Sequence, residues 1–149
     1  MRLGPMFFKA MAVAITTGLL LFPCSILHCQ ENWRVCNVEV KPGQSRSVFL
    51  AVPTGPDGDT QIPVTLIHGV RQGPTLALIA GNHGYEYPPI LAAQRTAAKT
   101  DPKKLSGKII IVHIANMPSF LKRTVYYSPI DGKNLNRVYP GKADGTISE

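Results

Sequence analysis

Alternating runs of apolar and polar residues fill the chain between residues 33 and 70. Val35 to Val40 alternates, Pro42-Gly43 interrupts, and Ser47 to Val52 alternates again. This period of two belongs to half-buried strands separated by turns. Thr54 to Asp59 (Thr-Gly-Pro-Asp-Gly-Asp) is almost wholly turn-forming, and Ile62 to Ile67 reads as a further strand closed by Gly69. A two- or three-stranded antiparallel start is the simplest account. Beyond Pro74 the pattern changes. Thr75 to Ala80 (Thr-Leu-Ala-Leu-Ile-Ala) is a continuous apolar run, as expected of a strand buried on both faces. Pro88-Pro89 then opens a helix running from Ile90 to about Lys99, and Lys108 to Ala115 is a second strand of the buried type. Strand, helix and strand in this order predict a parallel pair joined by a right-handed crossover.

Residues 1–29 stand apart. Arg2 and Lys9 carry the only charges before Glu31, and Ala10 to Leu27 is mostly apolar. A positive start, an apolar middle and a polar exit describe a secretory signal peptide or, if uncleaved, an N-terminal anchor. The expectation is a secreted or periplasmic protein, membrane-attached only if the leader is retained, with residues 30–149 forming the folded part. At 149 residues, 44% hydrophobic and 17% charged, the chain is apolar enough to bury a core and too apolar for disorder. The formal charge of +7 permits nucleic acid as a partner. However, Lys99, Lys103, Lys104 and Lys108 have no aromatic residues among them, so no nucleic-acid partner is expected. Loss of the leader would remove Cys24 and Cys29. Cys36 alone makes no disulfide framework, and with no neighbouring His it reads as a small apolar residue.

In open α/β sheets ligands bind beyond the carboxyl ends of the strands. Two segments leave such ends here: Gly81-Asn-His-Gly-Tyr-Glu86, and Asn116-Met-Pro onward. In a helical turn His83 and Glu86, spaced i and i+3, would point the same way. An imidazole and a carboxylate so placed are either two of the three protein ligands of a catalytic zinc or an ordinary surface contact. Downstream lie Arg123, Asp131 to Arg137 (Asp-Gly-Lys-Asn-Leu-Asn-Arg) and Tyr139-Pro-Gly141. Arg137 beside Asn136 suits a substrate carboxylate, and Arg123 suits a developing oxyanion. The plainer alternative is a basic surface loop with turns at Asp131-Gly132 and Pro140-Gly141.

Gly81 to Glu86, Ala115 to Phe120 with Arg123, and Pro129 to Gly141 together resemble the succinylglutamate desuccinylase/aspartoacylase family, from about Ile62 to the last residue. The resemblance implies a carboxypeptidase A-like α/β fold: a mixed sheet with flanking helices, present as its N-terminal portion and preceded by short antiparallel strands. It implies zinc as cofactor, His83 and Glu86 as metal ligands, Asn136 and Arg137 as holders of the substrate carboxylate, and Arg123 as the arginine polarising the scissile carbonyl. Asp131 and Gly132 would shape the loop. A third ligand, a His, and a Glu general base are implied beyond Glu149. His68 and His113 do not fill that place, His113 reading as a core or sheet-edge histidine. The implied activity is hydrolysis of an amide bond next to a carboxylate, in an N-acyl amino acid or at a peptide C-terminus. The alternative is a carboxylate-binding remnant without turnover.

Overall fold

The structure, a computed structural model, describes residues 31–149; the expected leader at 1–29 lies outside the described residues. A hairpin of β1 (Trp33–Val35) and β2 (Val38–Val40) precedes a four-stranded sheet. That sheet contains β3 (Gln44–Gly55), β4 (Gly58–His68), β5 (Arg71–Ile79) and β6 (Ser106–Val112) in the order β3-β4-β6-β5. β3 with β4 and β4 with β6 pair antiparallel, while β5 and β6 pair parallel through the crossover helix α1 (Tyr87–Lys99). α2 (Met117–Lys122) and a 3-10 turn, Leu135–Arg137, follow. The sheet is mixed, with flanking helices, as the resemblance implied.

Two apolar layers show why these strands read as they do. Ile67, Ala80, Ile90, Ala93, Ile111 and Ile114 pack together on the face under α1. Val40, Val64 and Leu66 are buried on the opposite face, beneath Trp33, Val35 and Val38 of the hairpin. Along β6, Ile109 and Ile111 join the first layer while Ile110 and Val112 join the second. A strand covered on both faces therefore carries an unbroken apolar run.

Four expectations are corrected. Val35 to Val40 is two strands, because Cys36 adopts φ +51 and turns the chain. Cys36 is thereby an exposed turn residue and not a packed apolar one. The turn placed at Thr54–Asp59 is narrower, since β3 continues to Gly55 and β4 begins at Gly58. Thr75 to Ala80 is not buried on both faces. β5 is the edge strand of the described sheet, leaving Leu76 and Ile79 52% and 55% exposed. Among the described residues no helix is long and apolar enough to cross a membrane.

Candidate active site

Because β5 and β6 are parallel, their exits lie together at one end of the sheet. Ala115 N–H donates to the Ala80 carbonyl and Asn116 N–H to that of Gly81, both at 2.9 Å, so the two exit loops begin side by side. Gly81 sits at φ +70, and a Cβ there would lie 2.8 Å from Ile114 Cα. At Gly84 a Cβ would fall within the backbone of Ser119 and Phe120, so the turn after β5 is pressed directly on α2. α2 is held in turn by Asn116, whose Oδ1 accepts from Ser119 N–H at 3.1 Å. Only glycine permits this stacking, and between the two glycines stands His83.

His83 and Glu86 flank a turn and do not share a helix. Glu86 N–H lies 3.4 Å from the His83 carbonyl, and Glu86 occupies the position before the first residue of α1. Its carboxylate makes no capping bond to the helix, which leaves it free to meet the imidazole. Glu86 Oε1 lies 2.9 Å from His83 Nδ1, with the imidazole side chain 11% exposed and the carboxylate 49%. The hydrogen bond with Glu86 raises the imidazole pKa. Burial opposes that, the Asn134 contact and the Glu86 charge add to it, and the Arg137 charge lowers it. Tyr126 stands edge-on to His83 with ring centroids 5.2 Å apart.

The other ring nitrogen, Nε2, is 3.1 Å from Asn134 Oδ1. The same oxygen accepts from Asn136 N–H at 3.0 Å, fixing the start of the 3-10 turn. That turn presents Asn136 and Arg137, both exposed, with the guanidinium donating to the Asn136 carbonyl at 3.1 Å. Its far end is tied by Tyr139, whose hydroxyl donates to Asn82 Oδ1 at 3.2 Å.

Asp131 anchors the preceding loop. Its carboxylate accepts from Thr146 Oγ1 at 2.7 Å, from Ser148 Oγ at 2.9 Å and N–H at 3.1 Å, and from Lys133 N–H at 3.2 Å. Gly132 beside it takes φ +67. A cleft of about 240 Å³ lined by Ile62, Asn116, Leu135, Tyr139 and Glu149 undercuts this region, but neither His83 nor Glu86 lines it.

The structure thus brings His83 and Glu86 together and sets Asn136 and Arg137 on a turn bonded to His83. Arg123 is different. It ends α2 in the left-handed conformation, φ +55, and is exposed, with no hydrogen bond or ion pair to a site residue among those described. The sequence reading passed over Asn134, Tyr126 and Asn82. Asn134 had a legible signal, an Asn two residues ahead of the position whose N–H it caps. Tyr126 and Asn82 had none.

An imidazole nitrogen and a carboxylate oxygen are donor atoms of the kind zinc takes. Asn134 Oδ1 and the Glu86 carboxylate both only accept, so the ring satisfies both contacts with a proton on each nitrogen, or with a proton on Nε2 and a cation between Nδ1 and Glu86. Two lone pairs at 2.9 Å call for a proton or a metal cation. Among the described residues no third His, Cys, Asp or Glu joins the pair.

The sequence model of the succinylglutamate desuccinylase/aspartoacylase catalytic domain matches residues 72–149, and the chain belongs to this family of deacylases. It is 40% identical over 107 residues to the N-alpha-acetyl-L-2,4-diaminobutyric acid deacetylase of Halomonas elongata, covering 68% of this chain and 30% of that protein. An aspartoacylase family protein from Mesorhizobium loti superposes with a TM-score of 0.66 at 39% identity, over 73% of this chain and 34% of that one. The product-bound ectoine utilization protein of Ruegeria pomeroyi gives 0.63 at 38%, over 70% and 33%. The chain spans about a third of the length of each of these relatives.

Proposed function

We propose that this chain supplies the metal-binding and carboxylate-anchoring part of a zinc-dependent hydrolase that cleaves an amide bond beside a carboxylate, in an N-acyl amino acid. The observation that carries the reading is the convergence of His83 Nδ1 and Glu86 Oε1 at 2.9 Å on the exit of β5. The turn bearing Asn136 and Arg137 is bonded to the same imidazole. The relatives named above include a deacetylase of an N-acetylated amino acid, which supports that substrate class over a peptide.

Zinc, when bound there by His83 and Glu86, would supply Lewis-acid polarisation of the amide carbonyl and a water acidified toward neutrality. Arg137 grips the substrate carboxylate through its planar fork, and Asn136 adds a donor beside it. Fixing the carboxylate fixes the amide, which converts an encounter into a positioned reaction. Arg123, from the end of α2, stabilises negative charge on the carbonyl oxygen once substrate is held. The leader expected at residues 1–29 supports a secreted or periplasmic location, membrane-attached if it is retained.

Zinc titration of the chain and of His83→Ala tests the reading. Zinc binding that His83→Ala abolishes supports it. Equal binding by the variant overturns it.

A further inference from the structure

We propose that the end of the sheet opposite the candidate active site docks on an anionic lipid surface. Arg71 and Ser106 pair at the start of β5 and β6, and Ile79 and Val112 at their close. Roughly 25 Å of strand therefore separates this base from the loops that carry the site. Six of the sixteen Lys and Arg residues gather there: Lys41, Arg71, Lys99, Lys103, Lys104 and Lys108. Lys41 lies between β2 and β3, Arg71 opens β5, Lys99 ends α1, and the last three flank the start of β6. All but Lys108 are exposed. Among the described residues none of the six is ion-paired. The nearby acids are engaged: Asp101 accepts from Lys103 N–H at 2.9 Å, and Glu39, beyond Lys41, pairs with Arg34 at 3.1 Å.

The loops of the base hold these cations as a fixed array. Gly69 N–H donates to the Gly107 carbonyl at 2.9 Å and Val70 N–H to that of Pro102 at 3.2 Å. The Arg71 guanidinium donates to Ser106 Oγ at 2.8 Å and to the Lys104 carbonyl. Among the cations Val70, 42% exposed, offers an apolar tip. The described chain also enters the fold here, since Trp33, the first residue of β1, has Lys108 Nζ 5.6 Å from its ring centroid. A bilayer with negative headgroups answers each of these features. Its surface potential attracts clustered cations, and its headgroup layer accepts an indole beside a small apolar tip. The leader expected at residues 1–29 joins the fold on the same side, so docking there leaves the site turned to solvent. Nucleic acid answers only the charge. Trp33, the single tryptophan, is half-buried between Lys108 and His68, whose ring lies 6.0 Å away, and offers no platform for a base.

The test is partition of the full chain, at low salt, onto phosphatidylcholine vesicles with and without phosphatidylglycerol. Quenching of Trp33 by lipids with a nitroxide headgroup reports whether the base is the part in contact. Two double variants are compared with wild type. Lys103→Gln with Lys104→Gln removes two base cations whose bonds within the fold are made by backbone atoms alone. Lys122→Gln with Lys142→Gln removes the same charge from exposed positions elsewhere. Phosphatidylglycerol is expected to strengthen wild-type binding and Trp33 quenching, and both gains should vanish at about 1 M salt, where charges are screened within ~3 Å. Each cation near the surface contributes about fivefold, so the base variant should lose about 25-fold of the gain in binding. The other variant should lose no more than about threefold. Equal wild-type binding to the two kinds of vesicle, or equal losses in the two variants, overturns the proposal. Tighter binding to a short DNA duplex than to the anionic vesicles, with the same dependence on Lys103 and Lys104, overturns it in favour of nucleic acid.

Discussion

The hydroxyl of Tyr139 donates a hydrogen bond to Asn82 Oδ1 at 3.2 Å, joining the end of the 134–141 loop to the residue beside His83. Asn82 is itself braced through its carbonyl, 3.4 Å from Asn116 Nδ2. With the Asn134 contact this gives the loop two ties to the exit of β5, one on each side of Asn136 and Arg137. The Tyr139 tie is exposed, so Tyr139→Phe should cost only about 0.5–1 kcal/mol in a urea titration. On the zinc-hydrolase reading proposed above, zinc affinity should fall by no more than about fivefold, the equivalent of that energy. A loss beyond tenfold would show that this tie helps to position His83.

Gly84 and Gly132 offer a contrast between space and backbone freedom. A Cβ at Gly84 would collide with the backbone of Ser119 and Phe120, which no rotamer change relieves. Gly84→Ala should therefore cost roughly 3 kcal/mol or more and separate α2 from the turn carrying His83. At Gly132 a Cβ would meet nothing within 4 Å, so only the φ of +67 opposes it. Gly132→Ala should cost about 1–2 kcal/mol. Similar urea midpoints for the two variants would refute the distinction.

What was legible in the chain follows from what each signal measures. The apolar run from Ile109 to Val112 disclosed β6 because both of its faces are covered, one by α1 and one by the hairpin. The equally apolar run at Thr75–Ala80 disclosed a strand but not its place at the sheet edge, since strand order depends on distant pairing. Pro88-Pro89 marked the start of α1 because a first turn needs no N–H donors there. Within the site, His83 and Glu86 were legible from spacing, although the turn that joins them is not helical. Tyr126 packs on His83 across 43 positions of sequence, and no local pattern announces such a contact.

Asp131 should govern the acid limb of stability. Burial pushes its carboxyl pKa up, but the bonds from Thr146, Ser148, Lys133 and Ser128 outweigh that and hold it at about 2, against 3.8 ordinarily. A depressed folded pKa means that the unfolded chain takes up the proton first. The stabilisation is therefore fully present above about pH 5 and is lost as pH falls through 3.8 toward 2. Its size, after allowance for solvent, is about 1–2 kcal/mol. Asp131→Asn should be less stable than wild type at neutral pH by about that amount, and the gap should close toward pH 2. A gap independent of pH would assign the loss to packing and not to charge.

His113 and His83 should act in opposite senses on stability between mildly acidic and neutral pH. His113 lies just past β6, with Nε2 2.7 Å from Thr65 Oγ1, which in turn is 2.8 Å from Ser47 Oγ. Its Nδ1 is buried without a partner, so a second ring proton would be stranded there. Burial accordingly lowers its pKa below 6.5. Its contribution is present above 6.5 and is lost as pH falls from there through the lowered folded value. His83 is the reverse. Its pKa is raised by Glu86, so its contribution is complete below 6.5 and is lost as pH rises through the folded value. The wild type reports only the sum of the two. Urea midpoints of His113→Gln and His83→Gln, measured from about pH 5 to pH 8, separate them. Relative to wild type, His113→Gln should gain stability as pH falls and His83→Gln should lose it. Parallel curves for the two variants would mean that neither imidazole changes its proton affinity on folding.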